Sequence, residues 1–151
     1  METDATNNTI SNNKVAGVWK LFSAYLDTGT ERIPVLGAHP SGMLILTVGL
    51  NFSVIVNNPD TEHFISGDRM SGTSQENQLA TQNSLALYGT YRTDERGEFL
   101  DQYIQGSSFP NWNGLSRGRE VLRLTIEGNC ITENMDIPGA GLVEIIWNRI
   151  E

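Results

Sequence analysis

The sequence predicts an all-β chain of about eight or nine antiparallel strands joined in chain order, with one short helix, closed as a barrel or packed as a sandwich. Short runs rich in β-branched and aromatic residues recur along most of the chain, and turn signals built from Gly, Asn and Asp separate them. A single stretch breaks this pattern and carries helix-capping residues instead. Barrel and sandwich both follow from the need to limit exposed strand edges.

The first strand is expected over residues 15–26, ending at the turn Asp27-Thr28-Gly29-Thr30, with a short edge piece over 33–36. Residues 42–48 and 52–56 read as a hairpin through Gly49-Leu50-Asn51. A polar connection then leads to the helix, over 74–85, where Thr73 or Ser74 caps and Glu76 sits at the positive end of the dipole. Strands return over 87–93 and 98–106, separated by a turn at 94–97. The last three strands are expected over 119–126, 131–135 and 142–150, the first two joined by Glu127-Gly128-Asn129.

At 151 residues the chain fits one domain, read as 15–151, preceded by a disordered tail over 1–14 that offers little to bury. A formal net charge of −8 with no basic cluster argues against nucleic acid and anionic membrane as partners. Cys130 is the only cysteine, which excludes an internal disulfide. With no signal-like apolar segment near the start, the expected location is cytoplasmic. The two histidines, His39 and His63, lack metal-ligand spacing, and neither a phosphate-binding loop, a dinucleotide fingerprint nor a nucleophile elbow is present. The expected cofactor is therefore none and the expected metal none. A homodimer stays open.

Gly17-Val18-Trp19 at the head of the first strand, Ser66-Gly67-Asp68-Arg69, the residues around Gly89 and Tyr91, the aromatic segment Gly106-Ser107-Ser108-Phe109-Pro110-Asn111-Trp112-Asn113-Gly114 and the closing Glu144-Ile145-Ile146-Trp147 come in an order and spacing that resembles the small intracellular lipocalin-like domain family. The resemblance implies an up-and-down lipocalin-like β-barrel. It also implies an interior able to hold a hydrophobic small molecule, and some relatives are natural-product cyclases or isomerases that use no cofactor. It departs at Gln102 and Tyr103, in a strand where relatives often carry histidine.

Strand alternation, with a period of two, gives candidate inward faces. If Trp19 points inward, Leu21, Ser23 and Tyr25 follow it; Tyr103 shares a face with Phe99 and Gln105; Leu122, Leu124 and Ile126 oppose Arg123; Glu144 opposes Val143, Ile145 and Trp147. Tyr103, Arg123 and Glu144 are the candidate catalytic residues, supplying hydrogen bonds or proton transfer if inward. Trp19, Tyr25, His39, Tyr91, Phe109, Trp112 and Trp147 are the candidate substrate-binding residues, shaping the wall and mouth. The expected function is a cofactor-independent cyclase or isomerase acting on a hydrophobic secondary-metabolite intermediate. The alternative is a non-catalytic binding or carrier protein with the same barrel.

Overall fold

The computed structural model describes residues 12–151. Most of the tail read over 1–14 lies outside the described residues. Its end is tied to the barrel: the Asn13 side chain accepts from the amides of Val15 and Ala16 and donates to the Tyr91 hydroxyl, and the Lys14 amide donates to the Gly97 carbonyl at 2.8 Å.

The strands are β1 (Gly17–Asp27), β2 (Arg32–Pro34), β3 (Ser41–Leu46), β4 (Asn51–Asn57), β5 (Ser84–Thr93), β6 (Phe99–Ser107), β7 (Ser116–Arg117), β8 (Leu122–Glu127), β9 (Cys130–Ile137) and β10 (Gly141–Arg149). One α-helix, α1 (Ser74–Gln82), stands between β4 and β5. The antiparallel path runs β7-β6-β5-β4-β3-β1-β10-β9-β8, with β2 hung on the edge of β1. Nine strands thus form a nearly closed barrel.

Its two end strands, β7 and β8, do not pair, and side chains hold the seam. Arg119, in the turn between them, donates to the Phe99 carbonyl on β6 at 2.8 Å and to Asp94 at 2.8 Å. Arg117 reaches from β7 to the Met135 sulfur on β9 at 3.0 Å.

The helix is shorter than the expected 74–85. Thr73 accepts from the Glu76 amide at 3.1 Å while the Glu76 carboxylate accepts from the Thr73 amide at 2.9 Å, a reciprocal cap that fixes its start. It stops because Leu85 and Leu87 face the barrel interior, and burying them requires a strand from Ser84 onward. The strand expected over 119–126 begins instead at Leu122, since the amides of Val121 and Leu122 both turn back to the Gly118 carbonyl.

Trp19 is fully buried where the first and last strands meet. Its indole N–H donates to the Val15 carbonyl at 2.9 Å, and the Arg149 guanidinium lies 4.2 Å above the ring. Arg149 also donates to the carbonyls of Ala16 and Lys14, stitching the chain's two ends together over the indole. Nearby, Tyr91 stacks on Phe99 with centroids 6.1 Å apart and donates its hydroxyl to the Thr47 carbonyl at 2.6 Å. With their polar atoms satisfied, these rings pack as core.

Two bulges shift the alternation expected from sequence. Between Leu21 and Ser23 the pairing with β10 skips a residue, which ejects Phe22 to 66% exposure and turns Ala24 inward in place of Ser23 and Tyr25. Between Arg92 and Thr93 the pairing with β6 shifts again, so that Phe99 and then Gln102 and Ile104 point inward. A third irregularity falls at Gly89, where a side-chain Cβ would overlap the Tyr103 carbonyl. Only glycine permits that close approach of β5 and β6.

Candidate functional site

The barrel interior holds a cavity of about 80 Å3. Fourteen of its seventeen lining residues are apolar, drawn from β3, β4, β5, β6, β8, β9 and β10 as well as Trp112, so the wall suits an apolar molecule. The exceptions are Gln102 on β6, Arg117 on β7 and Glu133 on β9.

Arg117 is only 6% exposed. Its Nε and Nη2 both donate to Gln102 Oε1, at 2.9 and 2.6 Å, and Nη1 donates to Met135 Sδ. The Trp112 ring covers the guanidinium with 4.5 Å between its central carbon and the ring centroid. Three of the five guanidinium N–H groups are thus directed at protein atoms, which leaves two for another acceptor. The Gln102 side chain is held in turn, because β6 places it inward between Phe99 and Ile104.

Glu133 shares the inward face of β9 with Ile131 and Met135. Its Oε1 accepts from Trp147 Nε1 at 3.0 Å, and no other hydrogen bond to this carboxyl is made among the described residues. The carboxyl is enclosed by protein, and the residue lines the cavity. Burial pushes its pKa above the ordinary carboxylate range, opposed only in part by the Trp147 hydrogen bond and the Arg117 charge. Burial likewise lowers the Arg117 pKa, opposed by the Glu133 charge. The two do not form a contact ion pair: the four contact pairs among the described residues all lie on the outer surface. An apolar chamber therefore carries two charge-bearing groups of opposite sign, each with unused hydrogen-bonding capacity.

The loop between β6 and β7 supplies the aromatic part of the wall. Its backbone is anchored to β5 by the reciprocal bonds of Ser108 and Ala86 and to β6 by the Asn113 side chain, which accepts from the Ser107 amide at 2.7 Å. A single 3-10 turn, Pro110–Trp112, presents the half-buried Trp112 to the cavity, with Phe109 edge-on at 5.5 Å and 43% exposed outside it.

The three side chains proposed from sequence for catalysis lie on the outer face, a consequence of the inward placement of their neighbours. Tyr103 stands between inward Gln102 and Ile104 and is 44% exposed. Arg123, between Leu122 and Leu124, pairs outside with Asp136 at 3.0 Å. Glu144 precedes inward Ile145 and pairs with Arg32 at 3.1 Å. Of the substrate-binding candidates, Trp112 and Trp147 line the cavity. Trp19 and Tyr91 are buried as core beside it, and Phe109 only backs Trp112. The bulge in β1 puts Tyr25 outside, where its ring carries Arg32 at 4.4 Å, and His39 is an exposed loop residue. A conservative test follows: Tyr103→Phe is expected to change stability by less than about 0.5 kcal/mol and to leave ligand uptake unaltered, measured by thermal melting and titration.

Residues 16–150 match the family described as lipocalin-like domain, nearly the whole described chain. The chain belongs to the lipocalin-like domain family. A comparison with curated proteins finds no match. The lipocalin-like barrel, with its mostly apolar cavity, is an architecture suited to binding a small hydrophobic molecule. Among the described residues no three His, Cys, Asp or Glu side chains cluster as a metal site, and no helix is long and apolar enough to cross a membrane.

Gln102, Arg117 and Glu133 were missed as site residues by sequence reasoning. For Glu133 a signal existed, since Ile131-x-Glu133-x-Met135 puts a carboxylate in phase with two apolar residues on one strand face. Arg117 gave none: it lies in a two-residue strand next to Gly118.

Proposed function

We propose that this lipocalin-like barrel binds a small, mostly apolar molecule by one polar group and converts it, without a cofactor, by isomerisation or cyclisation. The observation that carries this reading is the placement of Arg117 and Glu133 in an otherwise apolar chamber. Burying each ion costs several kcal/mol, roughly, and the two are not paired by direct contact. A carrier of purely apolar cargo needs neither charge, whereas a reaction in which charge develops uses both.

Size sets the next constraint. An apolar cavity of about 150 Å3 takes up benzene. At about 80 Å3 the present one admits a small molecule, or the reactive end of a longer one that enters past Trp112. Trp112→Ala is accordingly expected to lower stability by about 1–3 kcal/mol, through lost packing and the lost ring over Arg117. The same change widens the mouth, so bound ligand leaves about tenfold faster. Chemical denaturation and stopped-flow dissociation measure the two effects.

Isomerisation and cyclisation both conserve mass, which gives a test that needs no known substrate. Protein incubated with a small-molecule extract is expected to retain one compound on gel filtration and to accumulate a product of identical mass, absent with heat-denatured protein. A retained but unchanged compound favours the carrier reading. If nothing is retained, both readings fail.

A further inference from the structure

Resting on the binding reading above, the geometry points to a specific chemistry: we infer that Glu133 is the base that moves a proton between carbon atoms of a small neutral carbonyl compound whose oxygen is held by Arg117. Arg117 touches Met135 Sδ, and Met135 lies two residues from Glu133 on the same face of β9. Two residues of strand span about 7 Å, and no contact ion pair joins the guanidinium to the carboxyl, so the two charged groups line one cavity with a gap between them. An O=C–C–H unit fills such a gap: its oxygen accepts from the spare N–H groups of Arg117 while its α-hydrogen meets the Glu133 carboxyl.

The substrate class follows from both partners together. A carboxylate ligand would satisfy Arg117 but set a second negative charge against Glu133. An alcohol or hydrocarbon offers no carbon-bound hydrogen acidic enough to transfer. A ketone or aldehyde with α-hydrogens meets both demands, and an apolar remainder matches the rest of the wall.

The step balances without a co-reactant. The ionised Glu133 carboxyl takes the α-proton; the C–H electron pair becomes the C=C bond of an enolate; the carbonyl pair moves onto oxygen, against Arg117. Glu133 then returns the proton to the same carbon, which regenerates the starting compound, or to the γ-carbon where a double bond adjoins, which gives a mass-identical isomer. Trp147 N–H orients the carboxyl through Oε1 and leaves Oε2 for the substrate.

Titration of the reaction belongs to one group. Facing Glu133 from the elements around it are Leu122 and Leu124 of β8, Ile145 and Trp147 of β10, Gln102 of β6 and Arg117 of β7, and of these only Arg117 is ionisable. Arg117 stays cationic across the working range. The raised pKa of Glu133 makes the ionised form a stronger base and moves its titration to higher pH than that of an ordinary carboxylate, so the rate climbs with pH to a plateau.

Acetone, smaller than benzene, tests this with the full chain: in D2O, loss of its α-hydrogen signal reports proton transfer, and in H2O the Trp147 indole N–H signal of the nitrogen-15-labelled protein reports binding. Exchange is expected about a hundredfold faster than in buffer alone, rising with pD to a plateau. Glu133→Gln should still bind but exchange at the buffer rate, while Glu95→Gln, at an exposed turn, should exchange like the unaltered protein. Retained binding with equal exchange in Glu133→Gln overturns the proton-transfer role alone. Absence of any indole shift overturns the binding reading beneath it.

Discussion

Arg117→Ala is expected to lose about 3–5 kcal/mol of unfolding free energy, seen as a lower denaturation midpoint. Domains of this kind are stable by only about 5–15 kcal/mol, so this single change removes a large share. The side chain carries three roles at once. It satisfies Gln102 Oε1 twice, bridges the unpaired seam between β7 and β8 by reaching Met135 on β9, and is the opposite charge facing Glu133. Truncation leaves Gln102 without its donor, strips the cation from beneath Trp112 and isolates a buried carboxyl. Adding Glu133→Gln removes the isolated charge, and the double variant is expected to recover about 0.5–3 kcal/mol relative to the sum of the single changes. A loss under about 1 kcal/mol for Arg117→Ala, or strict additivity, contradicts the electrostatic coupling.

Glu133→Gln reverses the usual pH dependence of a carboxylate's contribution. A folded pKa raised above the unfolded one means the native state binds the proton more tightly. The stability this supplies is full below the unfolded pKa and is lost as pH rises through the folded pKa. The variant keeps the Trp147 hydrogen bond through its amide oxygen but never ionises. Its stability relative to the unaltered protein is therefore expected to grow as pH increases from about 4 toward neutral, by at most about 1.4 kcal/mol per pH unit. Asp94 and Asp101, held below the usual range chiefly by hydrogen bonds from Arg119 and Arg92, act in the opposite sense. Their contributions are present above the unfolded pKa and lost as pH falls, so they cancel in the difference between the two proteins. Melting curves over that pH range decide it: a difference that stays flat or shrinks places the carboxyl in contact with bulk water.

The barrel was legible because its inward strands obey simple alternation. Leu122, Leu124 and Ile126, and Ile145 with Trp147, fall on the side their spacing assigns. Alternation fails wherever a bulge inserts one residue, as after Leu21 and after Phe99, and each insertion moves the downstream side chains to the other face. That is why Tyr25 faces out and Gln102 faces in. No local signal marks these insertions; they are set by how one strand's register meets its neighbour's. Tyr103, Arg123 and Glu144 drew notice as polar residues in otherwise strand-like runs, yet each is the outward member of an amphipathic strand. The aromatic loop was the better guide: its Trp112 reaches the cavity and covers the arginine that the sequence left unmarked.

The three tryptophans make the central claim directly measurable, because Trp112 and Trp147 line the cavity while Trp19 is sealed into the core beside it. In a titration of the nitrogen-15-labelled protein with acetone, the indole N–H signals of Trp112 and Trp147 are expected to shift and saturate together while that of Trp19 stays in place. Equal drift of all three, or no saturable shift at Trp112 and Trp147, contradicts a ligand site inside the barrel.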